Sequence, residues 1–208
     1  MKYPIQETFT SLKGEGLYTG QPMHFIRLAG CNLKCEFCDT EFNKGKDIEL
    51  TELVAGIAPS PISRVVITGG EPCLHSLKPL TDALHNVGKL THLETNGTLP
   101  IIKGLFDWIA LSPKNMNCLS SSVAQADEIK FLVGFEGWKS FIDNFLASYP
   151  IKMGCILYVM PITIGLNQGQ TRSSKDFIQE NIDDAVEYCT LNPMFRYCIQ
   201  LHKVLQIP

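Results

Sequence analysis

Three thiols fall within eight residues of this sequence, in the run Gly30-Cys31-Asn32-Leu33-Lys34-Cys35-Glu36-Phe37-Cys38-Asp39-Thr40. The sulfurs of Cys31, Cys35 and Cys38, with gaps of three and two residues, would have to converge on one point, which neither a buried strand nor a regular amphipathic helix allows. The run fits a loop that wraps its sulfurs around one point. Thiolates suit zinc or iron–sulfur clusters. A structural zinc site takes four protein ligands, and the fourth would have to be Asp39 or a distant Cys or His. A four-iron cluster on three cysteines instead leaves one iron with an open position, where a small molecule could chelate and receive an electron.

A second run has chemistry of its own. Gly69-Gly70-Glu71-Pro72 follows Arg64-Val65-Val66-Ile67-Thr68, a β-branched stretch that stops at two glycines. Residues without Cβ let backbone carbonyls approach an ammonium group, and Glu71 adds a negative charge there. Arg27 interrupts a short apolar run at 23–29. A guanidinium inside such a strand needs an anion or a carbonyl, unless the strand is an edge and the arginine simply faces water.

The elements that must position these residues are read from period and punctuation. Residues 9–22 are rich in Gly, Ser and Thr and read as a turn-rich loop, and 23–29 as the first strand. A helix capped at Thr51 is expected over 51–57. Leu77, Leu80, Leu84 and Val87 stand at helical spacing before Gly88. Further strands are expected at 64–68, 91–95, 108–111, 128–133 and 155–160, with helices near 138–146 and 175–190. Strand and helix alternate, which predicts a parallel sheet with crossover helices, short of the eight repeats of a full barrel. The expectation is an α/β fold, an open, partial TIM-like barrel of about six parallel strands, in one domain over residues 1–208. Ligands in such folds collect beyond the carboxyl ends of the strands, where the polar punctuation lies at 31–40, 68–72, 94–97 and 112–114.

Composition narrows the partners. The chain has 208 residues, 45% of them apolar and 19% charged, with a net charge of -3. That balance argues against a dedicated nucleic-acid or membrane binder, and no apolar run reaches the roughly 18 residues a membrane span requires. Eight cysteines fall below the density of a disulfide scaffold. With no signal peptide in front of them, a reducing cytoplasm is expected. Cys73, Cys118, Cys155, Cys189 and Cys198 read as small buried hydrophobes.

Cys-x3-Cys-x2-Cys in a loop after a first strand resembles the cluster loop of the radical S-adenosylmethionine enzymes, and the Gly-Gly run resembles their glycine motif. The fuller pattern narrows the resemblance. Phe9-x-Ser11-Leu12-x-Gly14-Glu15-Gly16, Arg27, Cys38-Asp39-Thr40, Thr68 to Pro72, Glu94-Thr95-Asn96-Gly97, Ser112-Pro113-Lys114 and the stretch from His202-Lys203 to Pro208 are together similar to the 7-carboxy-7-deazaguanine synthase family, over nearly the whole length. The resemblance implies conversion of 6-carboxy-5,6,7,8-tetrahydropterin to 7-carboxy-7-deazaguanine with release of ammonia. A radical derived from S-adenosylmethionine would abstract the hydrogen at substrate C6.

By the same resemblance Cys31, Cys35 and Cys38 would hold a 4Fe-4S cluster and Thr40 would bind Mg2+. Gly70, Glu94, Ser112, Pro113 and Lys114 would contact S-adenosylmethionine. Leu12, Lys13, Gly14, Glu15, Arg27, Thr68 and the terminal carboxylate of Pro208 would hold the pterin, with His202 close by. An electron donor such as flavodoxin and a second copy of the chain in a homodimer are implied as partners, with no nucleic acid and no membrane. The sequence departs from the family pattern at Lys13, where Gln is usual, and at 160–163, Met-Pro-Ile-Thr in place of Gln-Pro-Met-Asp. Two rivals share parts of the pattern: a glycyl-radical enzyme activase, which would not need Arg27 or the 9–16 motif, and a non-catalytic iron–sulfur or zinc regulator.

Overall fold

The computed structural model describes residues 1–36, 38, 40–162 and 179–208. Its strands are β1 (Lys2–Leu12), β2 (Pro22–Leu28), β3 (Lys46–Glu49), β4 (Arg64–Gly69), β5 (Leu90–Thr95), β6 (Trp108–Leu111), β7 (Glu128–Val133), β8 (Ile156–Pro161) and β9 (Phe195–Tyr197). The helices are α1 (Leu50–Ile57), α2 (Lys78–Asn86), α3 (Ser120–Val123), α4 (Trp138–Ser148), α5 (Gln179–Leu191) and α6 (Leu201–Leu205). Among the described residues all nine strands join one sheet in the order β3-β1-β2-β4-β5-β6-β7-β8-β9. From β2 through β9 every neighbouring pair is parallel, which is the open, partial barrel expected. The short β9 makes the parallel strands one more than six. Among the described strands only the β1–β2 and β1–β3 pairings, on one flank, are antiparallel.

Each strand of the barrel shows one set of alternate residues to the helices and the other to the interior. Ile26, Leu28, Val65, Ile67 and Leu93 pack with Leu53 and Ile57 of α1 and Leu80 and Leu84 of α2. Ile129, Phe131, Val133, Leu157 and Val159 pack with Trp138, Ile142 and Phe145 of α4 and Ala185 and Tyr188 of α5. The spacing of Trp138, Ile142 and Phe145, four then three residues, places all three on one face of α4. The helix α2 starts with a proline in its first turn, carries a Lys78–Asp82 pair at 2.6 Å, and is followed by Gly88 at φ 75°.

Two local expectations change. Residues 9–12 belong to β1, where Phe9 stacks on Phe25 at 4.8 Å between ring centroids and Leu12 pairs with Pro22. Pairing with β2 overrides the Gly, Ser and Thr composition, so the chain turns only over 13–21. Thr51 lies inside α1 rather than at its cap, which is Glu49 and forms no side-chain cap bond. The expected helix at 175–190 is present from Gln179; residues 175–178 lie outside the described ones.

The same β1–β2 turn closes the barrel. Its Gly14 carbonyl accepts from the Leu201 N–H at 2.9 Å, so the two flanks of the open sheet meet through the start of α6. A Cβ on Gly14 would run into the His202 ring. The rest of the core is conventional in its energetics. Phe131, fully buried, meets Phe145, Phe195 and Phe141 with ring centroids 5.3, 6.2 and 6.3 Å away. Phe131→Ala should therefore lower unfolding free energy by about 3–5 kcal/mol, measured as a shift of the denaturant midpoint. A shift equivalent to less than about 1 kcal/mol would show that the aromatic cluster is not the centre of this half of the core.

Candidate active site

A cleft opens at the carboxyl ends of the parallel strands. Its walls include Cys31, Cys35, Cys38 and Thr40 from the loop after β2, Thr68, Gly69 and Gly70 from β4, and Glu94, Thr95 and Asn96 from β5. Ser112 and Lys114 follow β6, Lys130 and Leu132 come from β7, Met160 from β8, and Glu15, Gln200 and Lys203 complete it. The structure thus brings together most residues singled out in the sequence. Pro113 is buried behind that surface, and Leu12, Lys13, Gly14, Arg27 and Pro208 are not among the lining residues.

The cysteine loop is pinned from the side. Asn96 Nδ2 donates to Asn32 Oδ1 at 3.0 Å, and Asn32 Nδ2 donates to Thr98 Oγ1 at 2.8 Å. Burial pushes the Cys31 and Cys35 thiols up, and the Lys114 ammonium works against that at Cys35. Lys114 also donates to Ser112 Oγ at 2.7 Å. Asp39 lies outside the described residues. Next to the loop, Gly70 N–H donates to the Leu28 carbonyl at 3.2 Å, and a Cβ on Gly70 would strike the Gly30 carbonyl. The glycine is therefore required by the close approach of two loops, whatever ligand lies above it.

Glu71 does not face the cleft. It is fully buried, with Oε1 accepting from Thr95 Oγ1 at 2.8 Å and Cys73 N–H at 2.9 Å, and Oε2 accepting from Asn96 N–H at 2.8 Å. Its charge ties the glycine turn to the end of β5 and is spent there. The expectation that Glu71 adds its negative charge beside a ligand's ammonium group is corrected accordingly.

The floor of the cleft is a chain of alternating charges. Lys13 pairs with Glu94, and Lys130 lies 3.4 Å from Glu94 and 2.7 Å from Glu15. Gln200 Nε2 donates to Glu15 Oε1 at 2.9 Å, and Thr68 Oγ1 donates to Glu94 Oε2 at 3.3 Å. The Lys13 and Lys130 side chains are only 6% and 3% exposed, so each needs its carboxylates to stay charged. Burial alone would push Glu94 up, but Lys13 and Lys130 outweigh it and hold the carboxyl down to about 2. Glu15 is likewise held well below its ordinary value, against burial, first by Lys130 and then by Lys13 and His202. Burial raises Glu128, which accepts the Leu17 N–H at 2.8 Å beneath this layer.

Lys13 thus works through its side chain; its own N–H and carbonyl are engaged by Gln21 and Gly20 within the hairpin turn. Arg27 Nε donates to Glu7 Oε1 at 2.7 Å, which supplies the anion its strand position demanded. The Pro208 carbonyl accepts from Ser11 Oγ at 2.8 Å. Lys130, Gln200 and Asn32 escaped the sequence reading. A lysine two residues from Glu128 on the interior face of an apolar strand was the one available sign of the first. Of the five remaining cysteines, Cys118 and Cys198 are buried, and Cys73, Cys155 and Cys189 are half-buried.

Known proteins resemble this chain in sequence and fold. A family profile described as Radical SAM superfamily matches residues 25–167. A 7-carboxy-7-deazaguanine synthase of Bacteroides thetaiotaomicron is 43% identical over 137 residues, 66% of this chain and 72% of that protein. The Burkholderia multivorans protein of the same name is 34% identical over 230 residues, covering 100% of both. A crystal structure of QueE from Escherichia coli matches with TM-score 0.80 at 30% identity, over 97% of this chain and 95% of that one.

The chain belongs to the 7-carboxy-7-deazaguanine synthase family of radical SAM enzymes. Membership in that family implies a 4Fe-4S cluster and S-adenosylmethionine, and the donor set fits them. Three free thiols line one wall of the cleft. Among the described residues no three Cys, His, Asp or Glu side chains converge as a lone metal ion would need. The 7-carboxy-7-deazaguanine synthase frame also shows no described helix long and apolar enough to cross a membrane.

The depressed Glu94 value makes a pH prediction. Its stabilising effect is present above the unfolded carboxylate value of about 4.3 and is lost as pH falls through about 2. Glu94→Gln should therefore flatten the acid limb of stability against pH over that window, read from urea midpoints. An acid limb as steep as the wild type's would remove Glu94 from this role.

Proposed function

We propose that the cleft converts 6-carboxy-5,6,7,8-tetrahydropterin to 7-carboxy-7-deazaguanine with loss of ammonia, a step toward queuosine and related 7-deazapurines. The observation that carries this reading is one cleft with three thiols along a wall and a buried, alternately charged floor at Glu15, Lys130, Glu94 and Lys13. When bound, the cluster and S-adenosylmethionine supply one-electron, hydrogen-abstracting chemistry that side chains lack. Everything else falls to the protein as binding and orientation.

Cys31, Cys35 and Cys38 would hold the cluster. Around the cofactor stand Gly70, Glu94, Ser112 and Lys114, with Pro113 shaping the loop from behind; an ammonium such as Lys114 suits the cofactor carboxylate. Glu15, already an acceptor for Lys130 and Gln200, offers a carboxylate to the guanidine-like edge of the pterin, with Thr68 beside it. Leu12, Lys13 and Gly14 set the turn that carries Glu15. Arg27 would take the substrate carboxylate by exchanging its Glu7 partner, and Pro208 would approach from the Ser11 side. The altered 160–163 segment keeps Met160 on the wall; Thr163 lies outside the described residues.

The same reading places residues 1–208 in one domain with one site, supplied with electrons by a donor such as flavodoxin, working in the cytoplasm as a homodimer. Thr40 would give its hydroxyl to Mg2+, a cation that protein groups seldom cage alone.

Protein reconstituted anaerobically with iron and sulfide should turn over the tetrahydropterin to a deazapurine, followed by absorbance and product mass. A reducible cluster with no product would overturn the assignment and favour a protein-activating relative. For the metal, chelation should slow the wild type but hardly change Thr40→Ala. Equal slowing of both would take Thr40 out of the Mg2+ site.

A further inference from the structure

Glu15 and Glu94 come from separate parts of the fold, yet they share one cation. Lys130 stands mid-strand in β7, and its ammonium lies 2.7 Å from Glu15 Oε2 and 3.4 Å from Glu94 Oε1. The strand that carries it is anchored, since its neighbours Ile129 and Phe131 are fully buried on the helix side. Between β5 and β7 runs β6, whose residue on this face is Ala110, register partner of both Glu94 and Glu128. A single methyl at that position leaves room for the lysine to cross over to Glu94. Glu15 arrives from the opposite direction, on the β1–β2 turn. The ammonium is thus a fixed point against which two otherwise unconnected carboxylates are set.

We propose that Lys130 is a positioning residue that couples the substrate side of the site to the cofactor side, orienting Glu15 for the pterin and Glu94 for S-adenosylmethionine. This rests on the reading of Glu15 as a substrate contact and Glu94 as a cofactor contact given above. Each acid alone serves one ligand. Lys130, held between the two acids, serves both, because a carboxylate that loses a buried counter-charge either turns toward water or takes up a proton.

The test is calorimetric binding of S-adenosylmethionine and of the tetrahydropterin, separately, to reconstituted enzyme without reductant, so that no turnover intervenes. Lys130→Met should weaken both affinities by about tenfold or more. Glu15→Gln should weaken the pterin alone. In the double variant Lys130→Met/Glu15→Gln, pterin affinity should be no lower than in Glu15→Gln, because the lysine acts on the pterin only through Glu15. Cofactor affinity should still fall about tenfold. If Lys130→Met does not fold, the double variant, which removes one charge of each sign, decides by that same cofactor comparison against Glu15→Gln. A Lys130→Met protein that weakens only one ligand or neither overturns the proposal, as does an additive loss of pterin affinity in the double variant. Unchanged pterin affinity in Glu15→Gln would instead sink the reading of Glu15 on which the proposal stands.

Discussion

Two ammonium groups, those of Lys13 and Lys130, lie almost wholly out of water, and neither can remain charged there without a carboxylate at contact distance. That constraint organises the interior of the barrel. It forces Glu94 to stand between both lysines, draws Glu15 in from the β1–β2 turn, and leaves Gln200 to satisfy the remaining oxygen of Glu15. Replacing one member would strand its neighbours, so the charges are better regarded as a unit than as separate pairs.

The turn that delivers Lys13 and Glu15 also determines how the open sheet is sealed. Tyr18 of the same turn packs edge-on against His92 and Trp108, with ring centroids 4.8 and 5.1 Å away, and the Arg64 guanidinium lies 4.5 Å from its ring centre. Gly16 brings its Cα against Glu128, where a side chain would collide. The amino end of the barrel is thus plugged by a hairpin tip, and the charged floor rests on the plug. Floor, plug and the contact with α6 are one construction, with the cleft as the space left above it.

Much of this was legible from residue order. The cysteine spacing, the β-branched run halted by two glycines, and the strand–helix alternation are local patterns, and local patterns survive folding. What escaped the sequence depends on partners far away. Lys130 meets Glu15 across 115 positions and Gln200 meets it across 185, so neither role is written near the residue that plays it. Glu71 was misjudged for the opposite reason: an acid beside two glycines looks ready for a ligand, and only the structure reveals two donors from the neighbouring β5 end and one from Cys73 already aimed at it. The length of β1 was hidden because pairing, rather than residue type, keeps 9–12 extended.

The contact between Gly14 and Leu201 has a consequence for synthesis on the ribosome. A nascent chain has its first hairpin early, but the segment that caps Glu15 emerges only after every described strand of the sheet. Until then Glu15 lacks the Gln200 amide, although Lys13 and Glu15 can already meet Glu94 and Lys130 on β5 and β7. The parallel strands can assemble in order of translation, while the hairpin tip acquires its α6 contact only afterwards, so that an arrested chain can hold most of the architecture with that seal still missing.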